Sequence, residues 1–131
     1  MKATLILILA LAVCGCAAVG LQPTKELFSD IEPDQRARDI YAIAKECWEE
    51  PAVFPKHGTV VESTVTLEGV TIQARWAAPL ERSPQSPFIA IVVRPSNSGS
   101  VAEIRETQHG FIGKSGYRAA AGRWLAGDYS C

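Results

Sequence analysis

The chain has 131 residues, 47% of them apolar and 21% charged, with a formal net charge of −1. That balance belongs to one ordinary globular domain. The Lys and Arg residues form no cluster, so the footprint of a nucleic-acid binder is missing. The apolar run over 3–13, broken only by Thr4, is shorter than the roughly 20 residues a membrane-spanning helix needs.

That run opens with Lys2 and ends in small residues, the layout of a secretory signal. Its last part reads Val13-Cys14-Gly15-Cys16. This stretch resembles the lipobox of bacterial lipoproteins, in which an aliphatic residue, a small residue and a Gly or Ala precede a Cys. The resemblance implies that Cys16 becomes the first mature residue and carries lipid on its sulfur and its amine. Cys14 fits that role badly, because Val13 would then stand before the cut. Val13 replaces the usual Leu, and Cys14 is an uncommon residue for the second slot. Each buried CH₂ of an acyl chain contributes roughly 0.8 kcal/mol, so several chains on one Cys hold a domain firmly on a membrane. Ala17, rather than Asp, follows Cys16. By resemblance to Gram-negative lipoproteins, this implies the outer membrane, with the domain facing the periplasm. The alternative is a plain cleaved signal, with Ala10-Leu11-Ala12 before the cut and a free Cys16.

Removal of residues 1–15 takes Lys2 and Cys14 with it, and lipid occupies Cys16. Cys47 and Cys131 are then left as one pair in an oxidising compartment, and a bridge between them is expected. The alternatives are a buried free Cys47 and a free thiol at Cys131. His57 and His109 each stand beside a Gly and far from the cysteines, as polar loop residues do. No metal motif results, and no cofactor is expected.

Residues 16–32 read as the lipidated N-terminus and a tether, and 33–131 as one domain. Pro33 and Asp34 open a helix, since Pro suits the first turn and acidic side chains favour its positive end. Ala37, Ile40, Tyr41, Ala44, Cys47 and Trp48 recur at helical spacing, while Arg36, Arg38, Asp39 and Lys45 are assigned to the other faces. Pro51 ends the helix. Over 58–77 the pattern is a hairpin about Glu68-Gly69, with Leu67 facing Val70, Val65 facing Ile72 and Val61 facing Trp76. Residues 79–87 form a Pro-rich loop. The run "FIAIVV" over 88–93 is apolar on both faces, as in a central strand. After the "SNSGS" turn, 101–107 returns as a more polar strand near an edge, with Glu103, Arg105 and Glu106 discouraging further pairing. Ser115 caps a last helix, whose buried stripe is Tyr117, Ala120, Ala121, Trp124 and Leu125, and Gly127 stops it. The expected fold is α+β: helix, four-stranded antiparallel sheet of two hairpins, helix, with both helices on one face.

No nucleophile stands with a base, and no Gly-rich phosphate loop enters a helix, so an enzyme is not expected. Trp48, Trp76 and Trp124 lie on core stripes, with a ligand groove as the other reading. Residues 88–131 have the cadence of an apolar strand, a Gly turn, a strand starting Val-x-x-Ile and then "GYRAAAGRWL". They resemble the C-terminal domains of TolA and TonB, which couple the inner membrane to partners at the outer one. Residues 53–69 can be laid on that family's opening strands equally well, and a lipobox stands where the family has an inner-membrane anchor. The expected role is a binding or assembly accessory of an envelope protein complex. Its partner is expected to add a strand at the edge beside Val101, Glu103 and Arg105. The alternative is a lipid-anchored inhibitor or ligand-binding module that uses the "RSPQSP" or "SNSGS" loops.

Overall fold

The structure is a computed structural model that describes residues 26–49, 58–77, 87–106 and 114–131. Seven elements follow in order: β1 (Leu27–Ser29), α1 (Pro33–Trp48), β2 (Thr59–Val65), β3 (Val70–Trp76), β4 (Ile89–Ser96), β5 (Gly99–Glu106) and α2 (Lys114–Leu125). The strands form one antiparallel sheet in the spatial order β1-β5-β4-β3-β2. The α+β class holds, with five strands rather than four. The additional strand is Leu27-Phe28-Ser29, read from sequence as tether. Three residues are too few to set up a period-two signal, and β1 exists because β5 offers it a ladder.

The β2–β3 hairpin keeps its expected faces but not its expected register. Val65 pairs with Val70, Val61 with Ala74 and Thr59 with Trp76. A slip of two residues preserves the side-chain alternation, so periodicity could not detect it. Thr66 and Gly69 exchange backbone hydrogen bonds at 2.7 and 3.3 Å, which places Leu67-Glu68 in the turn and leaves Leu67 fully exposed. Gly69 is needed one position later for a different reason. It has φ 148°, and a Cβ there would lie 2.2 Å from the Val93 carbonyl oxygen of β4. Gly99 makes the equivalent close approach to the Ser29 carbonyl of β1.

Ile72, Ala74, Ile89, Ile91, Val93, Ala102 and Ile104 share one sheet face with Val61, and both helices cover it. α1 contributes Ala37, Ile40, Ala44, Cys47 and Trp48, as its spacing requires, whereas Tyr41 is half-buried. α2 contributes the whole expected stripe of Tyr117, Ala120, Ala121, Trp124 and Leu125. The helix begins at Lys114, one residue before the expected cap Ser115. It ends in a Schellman arrangement: Gly127 N–H donates to Trp124 O at 3.0 Å and Asp128 N–H to Arg123 O at 2.9 Å. Trp48 packs on Trp124 (centroids 4.8 Å) and on Tyr117 (5.5 Å), which confirms Trp48 and Trp124 as core residues. Trp76 is half-buried and stacks on Phe88 at 4.5 Å. The opposite sheet face is polar. There the Glu62 carboxylate takes hydrogen bonds from Arg75 at 2.9 Å and from Gln73 at 3.3 Å, which hold its pKa below the ordinary value.

Candidate functional site

The first turn of α1 carries Arg36, assigned from sequence to a solvent face. It is 2% exposed. Arg36, Ile40, Ala44 and Trp48 form an unbroken i, i+4 row that is buried throughout, and that spacing is the signal that could have found it. Its Nη1 donates to Leu27 O (3.0 Å), Ser100 O (3.3 Å) and Ser100 Oγ (3.4 Å), and its Nη2 to Leu125 O (3.2 Å). One guanidinium thus ties β1, β5 and the last turn of α2 to α1. None of these acceptors is a carboxylate. Compensation comes from carbonyl dipoles, including the one at the negative end of α2. Burial lowers the Arg36 pKa, and nearby Tyr129 pushes it back up; the group stays charged, as arginine does in proteins.

Two chain segments flank this bolt. On one side, β1 passes into α1 through Asp30, Ile31 and Glu32. Ile31 is fixed twice: its carbonyl accepts from Ser100 Oγ at 2.8 Å, and its N–H donates to Ser29 Oγ at 3.2 Å. On the other side, the tail after α2 is held by three contacts. Trp124 Nε1 donates to Ser130 O at 3.0 Å, Arg123 Nη2 donates to Cys131 O at 2.9 Å, and Cys131 is disulfide-bonded to Cys47 on α1. The expected bridge is therefore present.

Between the two segments lies a groove of about 530 Å³, walled by Phe28, Ile31, Trp124, Leu125 and Tyr129, with Arg36 beneath. Phe28 is 59% exposed, Ile31 37% and Tyr129 38%. Among the described residues, the other large apolar side chains so exposed are Val65 and Leu67, at the distant β2–β3 turn. Ile31 and Tyr129 offer exposed apolar surface within this concavity and Phe28 on the other face of the same edge, and apolar surface collected at one edge marks an interaction site. β1 is also a terminal strand, and no strand lies outside it among the described residues.

No family model, curated protein or solved structure matches the chain.

The residues singled out from sequence are distributed differently. Cys16 and the lipobox lie outside the described residues, as do His57, His109 and most of "RSPQSP". The "SNSGS" stretch is no open loop: β4 and β5 run on to the Ser96–Gly99 pair, leaving Asn97-Ser98 in a tight turn. Val101, Glu103 and Arg105 alternate along β5 on the polar sheet face. β1 occupies the outer edge of β5 from Ser100 to Ala102, with Phe28 opposite Val101, so that edge is not open at Val101. Glu103 is 5% exposed. Its carboxylate is held between Arg94 (3.3 Å) and Arg105, in a chain of alternating charge that continues to Glu26 and to Glu68. Burial alone would lower the Arg105 pKa, but Glu68 and Glu103 raise it. Glu103 and Arg105 link the charges of the sheet's polar face, and β1 forms the outer edge of the sheet alongside Ser100–Ala102. Among the described residues no group of three or more His, Cys, Asp or Glu could hold a metal ion, and no helix is long and apolar enough to cross a membrane.

Proposed function

We propose that the protein is a small lipoprotein of the bacterial outer membrane. It is anchored through Cys16, faces the periplasm, and acts as a binding accessory of an envelope protein complex. The lipobox resemblance supports the anchor. The Cys47–Cys131 disulfide supports an oxidising compartment. The ten residue steps from Cys16 to Glu26 reach at most about 35 Å, which keeps the domain close to the membrane that holds it. The observation that carries the binding role is the groove beside β1, where exposed apolar side chains meet a sheet edge with no strand beyond it among the described residues. Its walls offer apolar area and backbone, which suit an extended polypeptide.

Crosslinking the tagged, full-length protein in cells tests the role. One dominant envelope complex is expected, lost when Cys16→Ser removes the lipid. Failure to capture a specific partner at native expression with several crosslinkers would refute the accessory role. The intact mass of the membrane-extracted protein tests the anchor: it is expected to begin at Cys16 and to include acyl groups. An unmodified chain beginning at Ala17 or later would refute it.

A further inference from the structure

We infer that the groove takes an extended apolar segment of the partner protein, flanked by Lys or Arg, which adds to the sheet as a sixth strand outside β1. The inference rests on the accessory role proposed above and specifies the surface and the chemistry of that partner.

The two terminal strands of the sheet are not equivalent. On β2, the outward N–H of Val61 is already satisfied by Glu49 Oε1 at 2.8 Å, and Lys45 holds that carboxylate at 3.0 Å. A side chain thus occupies this edge, one of the ways proteins prevent edge-to-edge pairing. Among the described residues β1 has no such guard. Its sequence Leu-Phe-Ser contains neither Pro nor a charge, and the tail and the β1–α1 turn flank it with apolar side chains instead of covering it. Edges of this kind accept an added strand, with main-chain hydrogen bonds supplying affinity and alternate side chains supplying specificity.

Side chains of an added strand point alternately to the two sheet faces. Leu27 and Ser29 face the helices, and Phe28 faces the opposite side with Val101. One set of partner side chains therefore enters the groove between Ile31 and Tyr129, and the other lies against Phe28. The groove and the Phe28 side chain are apolar, which sets the apolar character of the segment's centre, while Glu26 and Asp30 flank Phe28 on the otherwise polar face.

Charge sets its flanks. Asp30 and Glu32 lie in the β1–α1 turn, and neither side chain has a partner among the described residues. Glu26, which precedes β1, is already paired with Arg94, and Asp128 stands in the tail, its carboxyl held below the ordinary range by hydrogen bonds from Ser130. Arg123, in the last turn of α2, is engaged with the Cys131 carbonyl and also favours the charged form of Asp128. Arg36 is buried and already donates to four acceptor atoms, so it does not recruit an anion. The rim is acidic, and complementarity favours a basic-flanked partner.

The test places p-benzoylphenylalanine at position 28, and separately at position 67, in the full-length protein in cells. The captured peptide is sequenced and resynthesised with a fluorophore. The expected result is capture at 28, in an apolar stretch of at least four residues bordered by Lys or Arg. Fluorescence anisotropy with that peptide should show affinity falling at least ~10-fold for Phe28→Asp, as for an interface anchor. For Asp30→Lys/Glu32→Lys it should fall about fivefold, with a weaker salt dependence. Both sites are exposed, so the variants should keep the wild-type Tm, which is measured alongside. Silence at 28 while general crosslinkers still capture a complex overturns the groove and leaves the accessory role standing. So does capture at 67 alone. A captured segment that is acidic, or that binds as a helix, overturns the partner chemistry. Silence with every crosslinker overturns both readings.

Discussion

Arg36 Nη2 and the carbonyl oxygen of Leu125 meet at 3.2 Å although 89 positions separate them in sequence. With the contacts to Leu27 and Ser100, this joins the first and last parts of the described domain through one planar group. Lysine cannot replace it, because a single ammonium cannot serve acceptors on both sides of a fork. Arg36→Lys and Arg36→Met should each lose about 2–3 kcal/mol in urea unfolding, the penalty for stranding buried carbonyls. Amide exchange at Leu27, Phe28 and Ser29 should accelerate at the same time. A lysine variant as stable as wild type would show that charge alone matters there.

The Cys47–Cys131 bridge spans 84 positions. Loop-entropy reasoning gives an upper value of about 4.5 kcal/mol for such a closure. Cys131→Ser should therefore lower Tm by on the order of 15–20 °C, and dithiothreitol should do the same to wild type but nothing further to the variant. Because the tail forms one wall of the groove, the reduced protein should also bind the partner peptide less well at temperatures where it is still folded. Equal affinity in both redox states would mean that Tyr129 contributes nothing to binding.

How much of this was legible in sequence depends on the distance over which each signal acts. The buried stripe of α2 was readable in full, because Tyr117, Ala120, Ala121, Trp124 and Leu125 obey one local period. The cysteine pair was readable by elimination. The β2–β3 hairpin was readable in its faces but not in its register, since a two-residue slip leaves the alternation intact. β1 was invisible: three residues carry no period, and their partner strand lies more than seventy positions away. Arg36 was misassigned because a charge outweighed its place in the Arg36–Ile40–Ala44–Trp48 row. The groove combines these two failures, being walled by β1 on one side and the α2 tail on the other, with Arg36 beneath. The edge was therefore expected along Val101, Glu103 and Arg105, whereas β1 lies outside β5 at Val101.

Two glycines should respond to alanine with opposite signs. At Gly69 a Cβ would meet the Val93 carbonyl oxygen at 2.2 Å, and φ is 148°. Backbone atoms of a central strand cannot move aside as a flexible side chain would, so Gly69→Ala should cost about 2–3 kcal/mol. Gly122 lies inside α2, and a Cβ there meets nothing within 4 Å. Gly122→Ala should gain about 0.5–1 kcal/mol from helix propensity and a less flexible unfolded chain. Paired urea titrations decide both signs, and a stabilising Gly69→Ala would refute the close approach of the β2–β3 turn to β4.

Stability should also fall at alkaline pH, through Tyr117. The ring is 5% exposed, and its hydroxyl shares a 2.8 Å hydrogen bond with Thr59 Oγ1. Burial raises its pKa above the ordinary 10.0, and the Thr59 hydrogen bond pulls the other way without cancelling the rise. The folded pKa is thus above the unfolded one. Below pH 10 both states hold the proton and the contribution is intact. As pH climbs past 10 the unfolded chain ionises first, and stability drops by up to about 1.4 kcal/mol per pH unit until the folded group titrates as well. Tyr117→Phe removes this slope. At neutral pH it should lose about 1 kcal/mol, because the buried Thr59 hydroxyl loses its partner. The gap between the two stability curves should therefore narrow as pH rises above 10, measured by urea unfolding at each pH. Parallel curves over that range would show that Tyr117 ionises as readily in the folded protein as in the unfolded chain.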